Sequence, residues 1–149
     1  MTVDQLCRRH RRIAFDSNLL TYLFEAGGPE AGAVRSLFDA AEAGGIAFVL
    51  ASLALAEISV YPGALDNAVL AERYADAVRS IPRLELVPLT GEIAVDAGLM
   101  RGRLGHSLPD AIHLATARAG GASVFVTNDR RLRSMPKLAV VQLNDLIAG

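Results

Sequence analysis

Short apolar runs alternate with longer stretches of helical periodicity along this chain. Residues 13–15 form a run halted at Asp16, and residues 46–51, 84–87, 123–127 and 138–143 repeat the pattern. Each run is short and continuous, as expected for strands covered on both faces. Between them, residues 19–24 read as a helix that stops at Gly27 and Gly28. Pro29 opens the next helix, where Val34, Leu37, Phe38 and Ala41 recur at i, i+3, i+4 and i+7 before Gly44 and Gly45 close it. A helix capped by Ser52 follows the second run, and Pro62 with Gly63 is expected to break the chain. Leu70, Tyr74, Val78 and Ile81 mark another helix. Thr90 caps one that carries Ile93, Ala97, Met100 and Leu104 on one face and ends at Gly105. The last helical stretch is LPDAIHLATARAG. There Leu108, Ile112, Leu114, Ala115 and Ala117 suit a core, and Gly120 with Gly121 supplies the stop.

This alternation predicts a single α/β domain, a three-layer α/β/α sandwich around a central, mainly parallel sheet. The length of 149 residues fits one core, and 52% hydrophobic with 21% charged residues excludes a disordered chain. The net charge of −1 removes any global signature of nucleic-acid binding, so such a role must rest on local patches. Cys7 is the single cysteine, which excludes an intrachain disulfide and a thiolate metal cluster. The longest uncharged run, residues 43–56, falls short of the ~20 residues of a membrane span. Arg8, Arg9, Arg11 and Arg12 are followed by only three apolar residues, so they do not open an export signal. The expected setting is the cytoplasm, away from membranes.

Several chemistries are missing. Asp16-Ser17-Asn18-Leu19 occupies the turn after the first strand, where dinucleotide and P-loop sites need glycines. His10, His106 and His113 lack zinc spacing, and His113 reads as a packed or interfacial residue. No G-x-S-x-G elbow is present. What remains is carboxylate chemistry.

Asp16 and Asp129 each end a strand, and parallel α/β sheets bind ligands at such ends. Either aspartate alone is also an ordinary turn residue. Glu57 lies in SLALAEISVY, and no Lys or Arg occurs between Ala47 and Arg73. A carboxylate in such surroundings needs a cation, a proton or solvent. Asp110 opens the last helix, where Ser107-Leu108-Pro109-Asp110 matches a capping box; capping alone would account for it. Asp96, on an amphipathic helix with Arg101 and Arg103 nearby, reads as a solvated residue. Four clustered carboxylates would repel one another unless a hard cation such as Mg²⁺ or Mn²⁺ joined them. Such a site would suit metal-assisted phosphodiester hydrolysis.

The order D-S-N, S-L-A-L-A-E, L-P-D-A-I-H-L-A-T-A and V-F-V-T-N-D resembles a PIN-domain ribonuclease, and within that family the VapC-type toxins of toxin–antitoxin pairs. The resemblance runs from about Ile13 onwards and leaves residues 1–12 as an N-terminal extension to a domain spanning 13–149. It implies that Asp16, Glu57, Asp110 and Asp129 are catalytic, metal-binding acids, with Asn18, Ser52 and Thr127 supporting them by hydrogen bonding. It further implies Mg²⁺ or Mn²⁺ as cofactor, an RNA substrate, a homodimer, and a cognate antitoxin whose C-terminal segment blocks the site.

Arg130, Arg131 and Arg133, followed by Lys137, would begin at the rim of this site and could contact phosphate. Arg8 to Arg12 lie about 13 Å away, four strand residues at ~3.3 Å each, towards the opposite edge, and are not assigned to the cut site. With no Trp and 5% aromatic residues, a base-stacking platform is not expected. Two alternatives stand beside the ribonuclease. One is a catalytically inactive PIN-like module that binds RNA or protein. The other is a haloacid-dehalogenase-like phosphatase with Asp16 as nucleophile, which would need a second acid where Asn18 stands.

Overall fold

A computed structural model describes residues 1–25 and 27–148. Five strands, β1 (Arg12–Phe15), β2 (Ala47–Ala51), β3 (Leu84–Val87), β4 (Val124–Thr127) and β5 (Ala139–Gln142), form one sheet in the order β3-β2-β1-β4-β5. Every neighbouring pair is parallel. The helices are α1 (Val3–Arg9), α2 (Ser17–Phe24), α3 (Gly28–Gly44), α4 (Leu53–Ala64), α5 (Ala68–Arg79), α6 (Gly91–Leu104), α7 (Leu108–Ala119) and α8 (Leu143–Ala148).

Strand residues divide between two cores by alternation, as a pleated sheet requires. Ile13, Phe15, Phe48, Leu50, Val124 and Val126 face one core, shared with Leu6, Leu19, Val34, Leu37, Ala54 and Val78 of the helices. Ala14, Val49 and Phe125 face the other, where Ile93, Ala97 and Met100 of α6 meet Ala111, Leu114 and Ala115 of α7. The three layers anticipated from continuous apolar strands are therefore present. Among the described residues, no helix is long and apolar enough to cross a membrane.

The strand order creates a switch point. From β1 the chain moves through α2 and α3 to β2 and then outward to β3. It returns through α6 and α7 to β4, on the other side of β1. Between β1 and β4 the successive connections diverge, which opens a crevice at the carboxyl ends of these strands.

Local details depart from the sequence pattern. Ser52 takes an α-helical conformation and makes no side-chain cap. The break expected at Pro62 and Gly63 falls slightly later: α4 runs on to Ala64, and residues 65–67 separate it from α5. Leu104, at the end of α6, and Leu108, at the start of α7, are exposed and lie outside the core that Ala97 and Met100 share with Ala111, Leu114 and Ala115. Leu143 begins α8 instead of ending β5. Two caps hold: Thr90 accepts the Ile93 N–H, and Gly105 closes α6 with φ +76°.

Gly120 is required by proximity. A Cβ there would stand 2.5 Å from Cγ1 of Val49, a buried β2 residue with little freedom to yield. Gly120→Ala should therefore destabilise the fold by ~1–3 kcal/mol, read as a lower midpoint in urea unfolding. Adding Val49→Ala should recover part of that loss, so that the double variant costs less than the sum of the single ones. Strict additivity would show that the two side chains do not compete for space.

Candidate active site

Asp16 follows β1 and caps α2. Its Oδ1 accepts the Asn18 N–H at 3.2 Å and its Oδ2 accepts the Thr127 hydroxyl at 2.7 Å. Thr127 ends β4, and its Oγ1 in turn accepts the Asp129 N–H at 3.0 Å. One hydroxyl thus joins the two strand ends that flank the switch point. Asp16 is 5% exposed. Burial pushes its carboxyl above the usual range; Thr127, His113 and the Asn18 N–H pull it back only in part, and the charge of Asp110 raises it further. Both hydrogen-bond donors to Asp16 are neutral groups, so neither carries a formal charge to balance it.

Glu57 projects from α4 and His113 from α7. The His113 Nε2–H donates to Glu57 Oε1 at 2.5 Å, while Nδ1 is buried and has no hydrogen-bond partner among the described residues. Burial alone would raise the Glu57 carboxyl, but the bond and charge of His113, with Ser17 contributing, bring it below its ordinary value.

Asp129 is gripped by Arg131. The guanidinium reaches both carboxylate oxygens, with Nε at 2.9 Å from Oδ1 and Nη2 at 2.7 Å from Oδ2, and the Arg131 N–H adds a bond at 2.9 Å. These contacts hold the Asp129 carboxyl low against a smaller burial effect. From the last strand, the Gln142 amide donates to the Asp129 carbonyl at 3.2 Å, which braces the loop.

Asp110 donates its backbone N–H to the Ser107 hydroxyl at 3.3 Å, as the capping pattern predicts. Its carboxylate does not return a bond to Ser107, and among the described residues it has no hydrogen-bond or ion-pair partner. It lines a cavity of about 250 Å³ with His106, Ser107, Arg131 and Leu132. A larger cavity, about 760 Å³, lies elsewhere, against Val87, Asp96, Arg118 and Lys137, and none of the four acids lines it.

The acids are thus linked in pairs. Thr127 joins Asp16 to Asp129, His113 acts on both Glu57 and Asp16, and the charge of Asp110 is felt at Asp16. Among the described residues, no three of Asp, Glu, His and Cys are grouped so as to hold an ion together. Of the residues expected to support them, Thr127 bonds Asp16 directly. Asn18 acts through its backbone, and Ser52 offers its N–H to the Val87 carbonyl. Arg130 pairs with Asp145 at 3.2 Å, whereas Arg133 has no ion-pair partner among the described residues. Asp96 is not free in solvent: Arg118 grips both its oxygens at 2.9 Å.

His113, which the sequence reads as packed or interfacial, is the residue that meets Glu57. Its signal was Glu57 itself, whose apolar helix supplies no partner and so demands one from another element.

The family model for the PIN domain matches residues 13–138. The chain belongs to the PIN-domain family. No curated protein matches its sequence significantly. Solved structures share the fold. A toxin–antitoxin complex from Klebsiella pneumoniae is 22% identical, covering 85% of this chain and 95% of that one, with a TM-score of 0.62. VapBC2 from Rickettsia felis, bound to a DNA fragment from its promoter, is 18% identical over 88% and 98%, with a TM-score of 0.65. VapC20 from Mycobacterium tuberculosis, a toxin that cleaves the sarcin–ricin loop, is 19% identical over 76% and 86%, with a TM-score of 0.61. In fold, then, this PIN domain is that of the VapC toxins.

The buried charge has a measurable sign. A carboxyl raised on folding opposes stability once the pH exceeds its unfolded value, about 4, and opposes it fully above its folded value. Asp16→Asn should therefore raise the melting temperature near pH 7.5 by ~2–4 °C, the shift that ~1 kcal/mol makes at this chain size. Thermal unfolding near pH 4 should show the difference closing, as the wild type becomes protonated. A variant less stable at both pH values would mean that the charge of Asp16 is compensated in the fold.

Proposed function

We propose that this PIN domain is a Mg²⁺- or Mn²⁺-dependent endoribonuclease, acting in the cytoplasm as the toxin of a toxin–antitoxin pair. The observation that carries the reading is Asp16: a buried carboxylate at the β1/β4 switch point, bonded only to neutral donors, with Asp110 adding a second negative charge. A hard divalent cation fits that imbalance and the all-oxygen donor set. Asp16, Glu57, Asp110 and Asp129 are the residues that would hold it, and they would have to draw together to do so, since no three of them are grouped around one point among the described residues. When bound, such an ion neutralises charge on a phosphodiester and lowers the pKa of water.

The chain's own groups divide the remaining work. Thr127 fixes Asp16 and the start of the Asp129 loop. His113 orients Glu57. Asp110, half-buried and unpartnered among the described residues, is the carboxylate free to take a proton from attacking water. Arg131 and Arg133 stand at the acid edge, where an RNA backbone would pass. The phosphatase alternative is weakened, because a nucleophilic Asp16 needs an accessible oxygen and here both oxygens are bonded in a buried position. The inactive-module alternative draws on a specific feature: Glu57 and Asp129 are engaged by His113 and Arg131.

A homodimer and an antitoxin are the protein partners this reading requires. Two exposed apolar surfaces are available to them. One carries Val60, Tyr61, Leu65 and Val69 on and between α4 and α5, and the other Val95, Leu99, Leu104 and Leu108 on α6 and α7.

Incubation of the purified protein with total cellular RNA and Mn²⁺, followed by sequencing of RNA ends, should reveal discrete cleavage sites. Excess EDTA should abolish them, and Asp16→Asn should reduce cleavage by about 100-fold or more. Cleavage undiminished in EDTA would overturn metal dependence. No cleavage together with no Mn²⁺ binding by calorimetry would favour the inactive module.

A further inference from the structure

The edge of the sheet opposite the acids carries the other charge. Arg8 and Arg9 fall in the last turn of α1, Arg11 lies just beyond it, and all three are exposed. Among the described residues none of the three forms an ion pair, unlike Arg12, which pairs with Glu85 and donates to the Gly120 carbonyl at 2.9 Å. Acids do occur in the vicinity: Asp4 on α1, Glu42 near the end of α3, and Glu85 on β3. Arg83, exposed ahead of β3, directs its guanidinium at the Glu42 carbonyl.

These arginines are mounted on a fixed element. Thr2 and Gln5 form a full capping box, with Thr2 N–H to Gln5 Oε1 at 2.8 Å and Gln5 N–H to Thr2 Oγ1 at 3.2 Å. Leu6 is fully buried in the core shared with Val34 and Leu37. His10 Nδ1 and Ser123 Oγ lie 2.7 Å apart, tying the end of α1 to the start of β4. Cations in the last turn of a helix favour its dipole, and that effect accounts for Arg8 and Arg9. It does not account for Arg11, nor for α1 as a whole, which precedes residues 13–138 that match the family.

We propose that Arg8, Arg9 and Arg11 form an RNA-backbone exosite, a sequence-independent contact that retains substrate at the edge remote from the cleavage site. The inference rests on the ribonuclease reading for the identity of its ligand. Guanidinium groups match phosphate oxygens in geometry and charge. Among the described residues the patch is poor in apolar surface, with Met1 the one large exposed apolar residue on α1 or its flanks, which favours a polyanionic strand over a protein interface with an apolar centre. The two edges are separated by β1, about 13 Å for four residues. At ~3.4 Å per phosphate of a stacked strand that is about four nucleotides, so only an RNA longer than this engages both edges.

The test uses the full chain carrying Asp16→Asn, in EDTA, so that bound RNA is not cut. Fluorescence anisotropy compares it with the same chain carrying Arg8→Gln, Arg9→Gln and Arg11→Gln. For a 20-nucleotide single-stranded RNA, the arginine substitutions should weaken binding by about tenfold at low salt. They should also flatten the slope of log Kd against log salt by about 2, at ~0.7 for each phosphate no longer neutralised. A 4-nucleotide RNA, too short to engage both edges at once, should lose less affinity than the 20-nucleotide one. Unchanged affinity and slope for the long RNA would overturn the exosite. Loss of binding to phosphatidylglycerol vesicles with RNA binding intact would overturn it too, and would make the surface a membrane contact. Cleavage in Mn²⁺ by the chain with Asp16 intact reports on the ribonuclease reading separately, because a protein that cuts nothing can still show the arginine-dependent binding.

Discussion

Thr127 holds the ends of β1 and β4 in one hydrogen-bonded unit, donating to Asp16 and accepting from the Asp129 N–H. That hydroxyl sits where the strand order diverges, the position at which a parallel sheet leaves a crevice. Its consequence is a carboxylate kept in the interior whose hydrogen-bond donors, among the described residues, are neutral groups. A fold tolerates such a group only if it is protonated, hydrogen-bonded or joined by an ion. The hydrogen bonds here offset part of the burial and leave the rest. The site is therefore a local source of instability held by the two cores on either side of the sheet.

Around Asp16 the other acids are satisfied unequally. Glu57 and Asp129 each have a nitrogen base or cation from the chain, while Asp110 has only its neighbours' fields. This inequality gives the acids different roles despite their shared chemistry. Asp16 and Asp129 belong to the strand ends, Glu57 is oriented from α7 through His113, and Asp110 combines a helix start with a carboxylate that has no partner among the described residues. Opposite charges are separated along the strands, with acids at the carboxyl ends and the arginines of α1 and its exit at the amino ends.

Much of the fold was legible because burial on both faces writes itself into sequence as continuous apolar runs. The strand positions, the caps at Thr90 and Ser107 and the stop at Gly105 follow from side-chain chemistry within a few residues. Misplaced features share a cause in tertiary packing. The break at Pro62 falls a few residues late, Leu108 lies outside the core that Ala111, Leu114 and Ala115 join, and Ser52 makes no cap although its residue type favours one. At the site, Asp16 and Asp129 were visible as strand-terminal acids and Asp110 as a helix-start acid. His113 was hidden, since a histidine on a buried helix face reads as packing until its partner is known.

By itself, the sequence determined the α/β class, the strands, and the candidate acids, because hydrophobic periodicity and turn chemistry are local properties. Its resemblance to the PIN family added their order, and the match over residues 13–138 places the chain there. Only the tertiary structure decided that β1 and β4 are neighbours, that one threonine couples their acids, and that His113 and Arg131 engage Glu57 and Asp129. Those contacts join residues as far apart as 111 positions in the chain. They depend on strand order and on which helix face packs inward, and no local pattern encodes either.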